Sequence, residues 1–243
     1  LGEVELLITE LRVPQTRIMA QLQAAQMLWE ADEKRAVKYM NDAMAGVKEL
    51  FASIDPNSKE YFKNYHSIAY LRYSIIQMLM QRQPELALGF LRSTPPLPDP
   101  YGNQPDQASQ EASLETEIAN QILKTDPKRT LELARETLKT RYSANLSSVL
   151  ANLKPKYPEM AVELANEIAT KLLSEKLLTN NQASSLLINL LHLAESPRRN
   201  QSSEPDNSRR PRLLSEQQYR DLLQKALSEA LAYKAPPPNS YSP

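Results

Sequence analysis

Two histidines, His66 and His192, are the only imidazoles among the 243 residues, and there is no cysteine. Imidazole is the side chain whose ordinary titration falls nearest neutrality, so acid–base or metal chemistry would have to begin at one of them. His66 lies in Tyr61-Phe-Lys-Asn-Tyr-His-Ser-Ile-Ala-Tyr70 and reads as a packing or hydrogen-bonding residue of an aromatic helix. His192 and Glu195 have i, i+3 spacing and would share a helix face. A metal held there needs further ligands, and no second such pair follows, so a di-metal bundle centre is not expected. The lack of thiols removes thiolate nucleophiles, cysteine zinc sites and disulfides. The chain contains no glycine-rich phosphate loop, Gly-x-Ser-x-Gly elbow or His-Glu-x-x-His motif. No catalytic residue, cofactor site or metal site is therefore expected. The carboxylate pairs Glu115/Glu117 and Glu132/Glu136 read as solvated helix faces. They leave a carboxylate-dependent helical hydrolase as the remaining enzymatic alternative.

The side chains better suited to binding are tyrosines and arginines. Tyr61, Phe62, Tyr65, Tyr70 and Tyr73 cluster in one segment, and tyrosine is enriched at interfaces because it joins apolar area to a hydroxyl. Phe62, Ile68, Leu71 and Ile75 fit a core face, which leaves Tyr65 and Tyr73 as the expected exposed contacts. Residues 94–109 (TPPLPDPYGNQPDQAS) carry Tyr101, several prolines and no basic residue, and read as a turn-rich or polyproline II surface insertion. Residues 196–214 hold Arg198, Arg199, Arg209, Arg210 and Arg212 against Glu204 and Asp206. Such arginines can grip carboxylates or phosphates bidentately. The tail 235–243 (APPPNSYSP) is uncharged and proline-rich. Each of these segments also reads as an ordinary linker.

Lys+Arg and Asp+Glu number 29 each, giving zero formal net charge. That balance argues against nucleic acid held by phosphate contacts and leaves protein partners, or copies of the same chain, open. No stretch is apolar enough to span a membrane; residues 177–194 come nearest but are interrupted by asparagine, glutamine and serine. The first residue is leucine and no leader pattern follows, so a processed chain and a trimmed one are both expected, with export and the cytoplasm equally open.

The elements that would position these side chains are helices. Only four glycines occur, too few for phosphate turns or β-hairpins. Met160, Ala161, Leu164, Ala165, Ile168, Ala169, Leu172 and Leu173 keep a helical period over four turns. Proline marks helix starts at Asp55-Pro56, Gln83-Pro84, Asp126-Pro127 and Tyr157-Pro158. Asn57 with Glu60, and Ser215 with Gln218, have capping-box spacing. These starts disclose a repeat: Asp32-Glu-Lys-Arg-Ala-Val37 matches Asp126-Pro-Lys-Arg-Thr-Leu131, and Pro84–Leu91 matches Pro158–Ala165. Aligned at Ala36, Ala87, Thr130 and Ala161, the copies lie 51, 43 and 31 residues apart. Each copy is expected to open the second helix of a hairpin, at Glu33, Pro84, Pro127 and Pro158. A fifth pair is expected from 181–195 and 215–233.

The stretch Asp126-Pro-Lys-Arg-Thr-Leu-Glu-Leu-Ala134 and its cognates resemble the tetratricopeptide-like class of α-solenoids. More closely, they resemble a group of uncharacterised bacterial helical-repeat proteins. The resemblance covers about residues 15–195, and the Trp…Leu-Gly…Tyr…Ala…Phe…Pro consensus is not matched in any unit. It implies antiparallel hairpins stacked as a short right-handed α-solenoid; an irregular helical bundle is the alternative. The expected organisation is one helical-repeat domain over 1–234, with insertions near 94–109 and 196–214 and a tail from 235. The function so implied is a non-enzymatic scaffold for protein–protein interaction, with a self-assembling structural subunit as the alternative.

Overall fold

The computed structural model describes residues 2–99, 107–195 and 211–232, with side chains described from Glu5 onward. Among these residues there are α-helices and one 3-10 turn, and no strand. The chain packs as two compact units, Leu1–Glu111 and Ala112–Pro243. The first contains α1 (Gly2–Glu10), α2 (Pro14–Leu28), α3 (Glu33–Ser53), α4 (Lys59–Arg82) and α5 (Pro84–Ser93). The second contains most of α6 (Gln107–Ile122), then α7 (Pro127–Thr140), α8 (Leu146–Lys156) and α9 (Pro158–Ser174). A 3-10 turn at Leu177–Thr179, α10 (Asn181–Glu195) and α11 (Glu216–Ala232) complete it.

The helices α3, α5, α7 and α9 open at the four expected residues, and one backbone device opens them all. The N–H of the capping residue donates to a carbonyl four residues back: Asp32 to Leu28 at 2.7 Å, Gln83 to Leu79 at 2.6 Å, Asp126 to Ile122 at 2.7 Å, Tyr157 to Leu153 at 2.7 Å. Its own carbonyl then accepts from Ala36, Ala87, Thr130 or Ala161 at 3.0–3.2 Å. The capping residue thus closes the last turn of one helix and opens the first turn of the next. Its φ and ψ are −152° and 78° at Asp32, −137° and 69° at Gln83, −140° and 91° at Asp126, and −135° and 63° at Tyr157. Asp32 and Asp126 add a side-chain cap on Arg35 N–H (3.1 Å) and Arg129 N–H (2.9 Å). Gln83 and Tyr157 have proline at the next position, where the missing donor costs nothing. The four aligned residues are wholly buried. Where Thr130 replaces alanine, its hydroxyl donates to Ala119 O (3.0 Å), so the extra polar group is satisfied.

Ser215 and Gln218 form the expected capping box, each side chain bonding the other's N–H at 3.2 and 3.0 Å. The expectation at the start of α4 needs correction. Ser58 is its cap, accepting from Tyr61 N–H at 3.1 Å. Asp55 instead folds a side-chain turn by accepting Asn57 N–H at 2.9 Å, and Pro56 precedes the helix rather than opening it.

The unit 1 core joins Ile18 and Leu22 of α2 to Met40 and Val47 of α3 and to Ile75 and Leu79 of α4, all essentially buried. Gly46 of α3 sits where α2 comes closest: a β-carbon there would lie 2.8 Å from Ile18 Cγ1. In unit 2, the buried face of α9 is the one the helical period marks, with Ala161, Leu164, Ala165, Ile168, Ala169 and Leu172 wholly enclosed. α7 neighbours α9, α9 neighbours α11 and α8 neighbours α10, so helices pack on their second neighbours as well as their first. Leu213 and Leu214, at the end of the second insertion, are buried in this core.

Gly46 and Gly89, both inside helices, should respond oppositely to alanine. Gly89→Ala meets nothing within 4 Å and should stabilise unit 1 by about 0.5–1 kcal/mol through helix propensity. Gly46→Ala should destabilise it by about 1–2 kcal/mol, overpacking outweighing the same propensity gain. Urea unfolding followed by Trp29, the only tryptophan, reads both, and Ile18→Val should recover part of the Gly46→Ala loss.

Candidate interaction surfaces

α4 buries one broad face, and its two halves are covered differently, which decides where its aromatics end up. The C-terminal half carries Ile75, Ile76 and Leu79 into the unit 1 core, while in the N-terminal half Tyr61, Tyr65 and Ile68 enclose Leu97 with help from Leu50, Phe51 and Ile54. Residues 94–99 run along α4 in the reverse direction, fixed at both ends. The Tyr61 hydroxyl donates to the Pro98 carbonyl, and burial is the main cause holding its pKa above the usual value. Gln107 Nε2 donates to Leu97 O at 2.8 Å. At the other end, Arg72 Nε donates to Thr94 O at 2.5 Å and Nη2 to Leu91 O at 3.2 Å. The same guanidinium grips Glu111 through both carboxylate oxygens, at 2.9 and 2.7 Å. Arg72 and Glu111 are 8% and 16% exposed, so the pair is largely desolvated and depends on every one of these bonds.

Two expectations change here. Tyr65 is 3% exposed: the proline-rich segment covers it, so it is a core residue and not a surface contact. Phe62, expected in the core, is exposed, because it falls beside the face that Tyr61, Tyr65 and Ile68 bury. Tyr73 is half exposed as expected. The first insertion is also less of a surface loop than its composition implies, since Thr94 and Leu97 are buried and residues 107–109 already belong to α6.

The face that α4 leaves open carries Phe62, His66, Tyr70 and Tyr73, spaced to fall on one stripe of the helix. Tyr70 is 59% and Tyr73 50% exposed. Phe62 meets Tyr61 edge-on at 6.3 Å and His66 meets Tyr65 edge-on at 5.2 Å, so the stripe is braced by the buried tyrosines beneath it.

A second feature lies in unit 2, where an open groove of about 740 Å³ is lined by α7 and α9, including Arg135, Leu138, Lys139, Glu167 and Lys171. Arg135 bridges the helices, bonding Glu167 at 2.7 and 2.8 Å and Glu163 at 2.5 Å. Hydrogen bonding to Glu167 above all holds its guanidinium above its usual pKa. Lys171 donates to Leu138 O at the C-terminal end of α7, where a cation complements the helix dipole. Its ammonium also lies 4.7 Å from the Tyr142 ring centre. Burial, then Glu175, pushes the Tyr142 hydroxyl up.

Arg212 is exposed and bonds Glu216 at 2.9 Å. Tyr101, Arg198, Arg199, Arg209, Arg210 and the tail 235–243 lie outside the described residues. Three of these paired carboxylates face arginines: Glu115 bonds Arg141 at 2.7 Å, and Glu132 and Glu136 lie 3.2 and 3.8 Å from Arg129. The first contact ties α6 to the end of α7, and the other two lie within α7. Among the described residues, no group of three or more histidines and carboxylates is placed to hold a metal ion, and no helix is long and apolar enough to cross a membrane.

Sequence reasoning missed Arg72. Nothing local distinguishes it from a solvated arginine, since its partners lie 19 to 39 residues away. The one available signal was its place among Ile68, Leu71, Ile75 and Ile76, on a face otherwise apolar.

Comparison with known proteins finds no matching family model, no similar curated protein and no similar solved structure.

The two arginine networks should separate in unfolding experiments. Arg72→Met should cost about 3–5 kcal/mol by leaving Glu111 and two carbonyls without their donor. Pairing it with Glu111→Leu should recover part of that loss. Arg135→Ala, at a partly solvated bridge, should cost no more than about 1 kcal/mol, and less as salt is raised. Denaturation midpoints at two ionic strengths check both.

Proposed function

We propose that the chain is a non-enzymatic helical-repeat scaffold, a short right-handed α-solenoid of the tetratricopeptide-like kind, that binds a partner protein. The observation carrying the binding reading is the open aromatic stripe of α4. Aromatic side chains form only 6% of the sequence, yet two tyrosines and a phenylalanine stand exposed on a single face. Tyrosine and phenylalanine on a rigid helix present large contact area at small entropic cost, which is what interface hot spots use. The repeat reading draws on the four equivalent junctions and on the second-neighbour packing of α7 to α11. The junctions also alternate: an aspartate cap after a three-residue turn, then a single residue followed by proline, once in each unit. That order is the one a duplicated pair of hairpins would leave.

A photo-reactive residue at position 73 tests the binding reading. In native extract it should give a discrete cross-linked protein that the same residue at exposed Lys34 of α3 does not give. Equal labelling at the two positions would remove α4 as the binding face.

Self-assembly is the second reading. It is favoured by α11, where Leu223, Leu227 and Leu231 fall on one face at 41%, 55% and 86% exposure. Light scattering across a hundredfold concentration range decides it: a constant monomer mass overturns self-assembly, and a rising mass supports it.

A further inference from the structure

We propose that residues 94–99 are a releasable strap, which leaves α4 in a local opening and uncovers Tyr61, Tyr65 and Ile68 while the helices of unit 1 stay packed. Side chains hold it in place. Thr94 O, Leu97 O and Pro98 O accept from Arg72, Gln107 and Tyr61, which stand on α4 and α6. Pro95, Pro96 and Pro98 have no N–H to give to a hydrogen-bonded ladder. The backbone bonds of α4 close within the helix itself. Lifting the strap therefore breaks side-chain bonds and leaves the helical ladder whole.

Little apolar surface is exposed when it leaves. Within the strap only Thr94 and Leu97 are buried. Leu97 belongs to a small cluster with Tyr61, Tyr65 and Ile68, edged by the half-buried Leu50, Phe51 and Ile54. A small cluster under a connecting segment opens more readily than a main core, because the cost of opening follows the apolar area exposed. The core around Ile18, Leu22, Met40, Val47 and Leu79 keeps its contacts in both states. Proline restricts the strap even when it is free, so closing again orders little.

Arg72 is the latch. Its Nε and Nη2 hold Thr94 O and Leu91 O, and Nη1 and Nη2 grip Glu111. The pair is bonded but nearly dry, so opening returns water to two charges whose desolvation the closed state must offset. Opening also changes what α4 shows. Closed, it exposes Phe62, Tyr70 and Tyr73; open, Tyr61 and Tyr65 join them, and the Tyr61 hydroxyl exchanges the Pro98 carbonyl for water. The device belongs to the fold of unit 1, whatever partner the scaffold binds.

The chain contains no cysteine, so one introduced thiol reports its own exposure. Ile68→Cys puts it beneath Leu97 and Ile75→Cys puts it in the main core, both positions being buried. The full chain is labelled with excess aromatic disulfide reagent over a series of urea concentrations below its unfolding transition. The thiol at position 68 should react at least about a hundredfold faster than that at position 75, with a urea slope less than about half as steep, since slope follows the area opened. Leu97→Ala should speed labelling at position 68 at least about tenfold, and Glu111→Gln several-fold, without steepening that slope. Hydrogen exchange should leave the amides of residues 65–68 as well protected as those of 72–76, because α4 stays wound. Equal urea slopes at positions 68 and 75 overturn the proposal, since exposure then requires unit 1 to unfold; this comparison needs neither strap variant. Labelling at position 68 that Leu97→Ala and Glu111→Gln leave unchanged also overturns it. So does loss of amide protection in step with the thiol, which would be melting of α4.

Discussion

One residue at each of four helix junctions ties the helix that ends to the helix that begins. At Asp32, Gln83, Asp126 and Tyr157 the N–H is spent on the helix that has ended and the carbonyl on the helix that begins. With both groups committed and φ and ψ confined to a narrow range, the angle between successive helices is set locally, before any side chain packs. Packing then follows from that angle. The residue four positions on falls where the preceding helix crosses, and only alanine, or a threonine that can return its hydroxyl to a carbonyl, fits there. A larger side chain at Ala36, Ala87 or Ala161 would have to open the hairpin.

The charged networks divide labour along the same lines. In unit 1, Arg72 gathers the end of α5, the start of residues 94–99 and the first turns of α6 around one guanidinium, so it specifies where an irregular segment must lie. Without that grip the proline-rich stretch would be held to α4 only at its other end, through Tyr61 and Leu97. Arg135 in unit 2 does the milder work of bridging two helices that already pack through leucine and alanine. Desolvation is what separates them: a buried guanidinium is costly unless fully bonded, and so leaves one acceptable arrangement, whereas a half-solvated one tolerates several.

Helix openings were legible because aspartate before a helix and proline at its first position act through neighbours in sequence alone. The same holds for the buried face of α9, where a simple period meets a simple environment. Legibility failed where two local signals competed or where a distant segment intervened. Asp55, Asn57 and Ser58 are all competent caps, and which one serves depends on where α4 must begin to bring Tyr61 under Pro98. Tyr65 looked peripheral because what covers it, the segment around Leu97, lies far along the chain. The exposed aromatic stripe was legible in composition, as a cluster, but not in its membership: Tyr73 was foreseen, whereas Phe62 and Tyr65 exchange places.

The junctions also bear on the chain before it folds. At all four, the residue that leads into the next helix has negative φ, a conformation that does not call for glycine. The sequence can therefore hold four glycines beside eighteen prolines. Each glycine forgone and each proline accepted narrows the conformations open to the denatured chain. Part of the preference for the native state thus comes from disorder the unfolded chain never possessed, a contribution that no contact in the folded structure records.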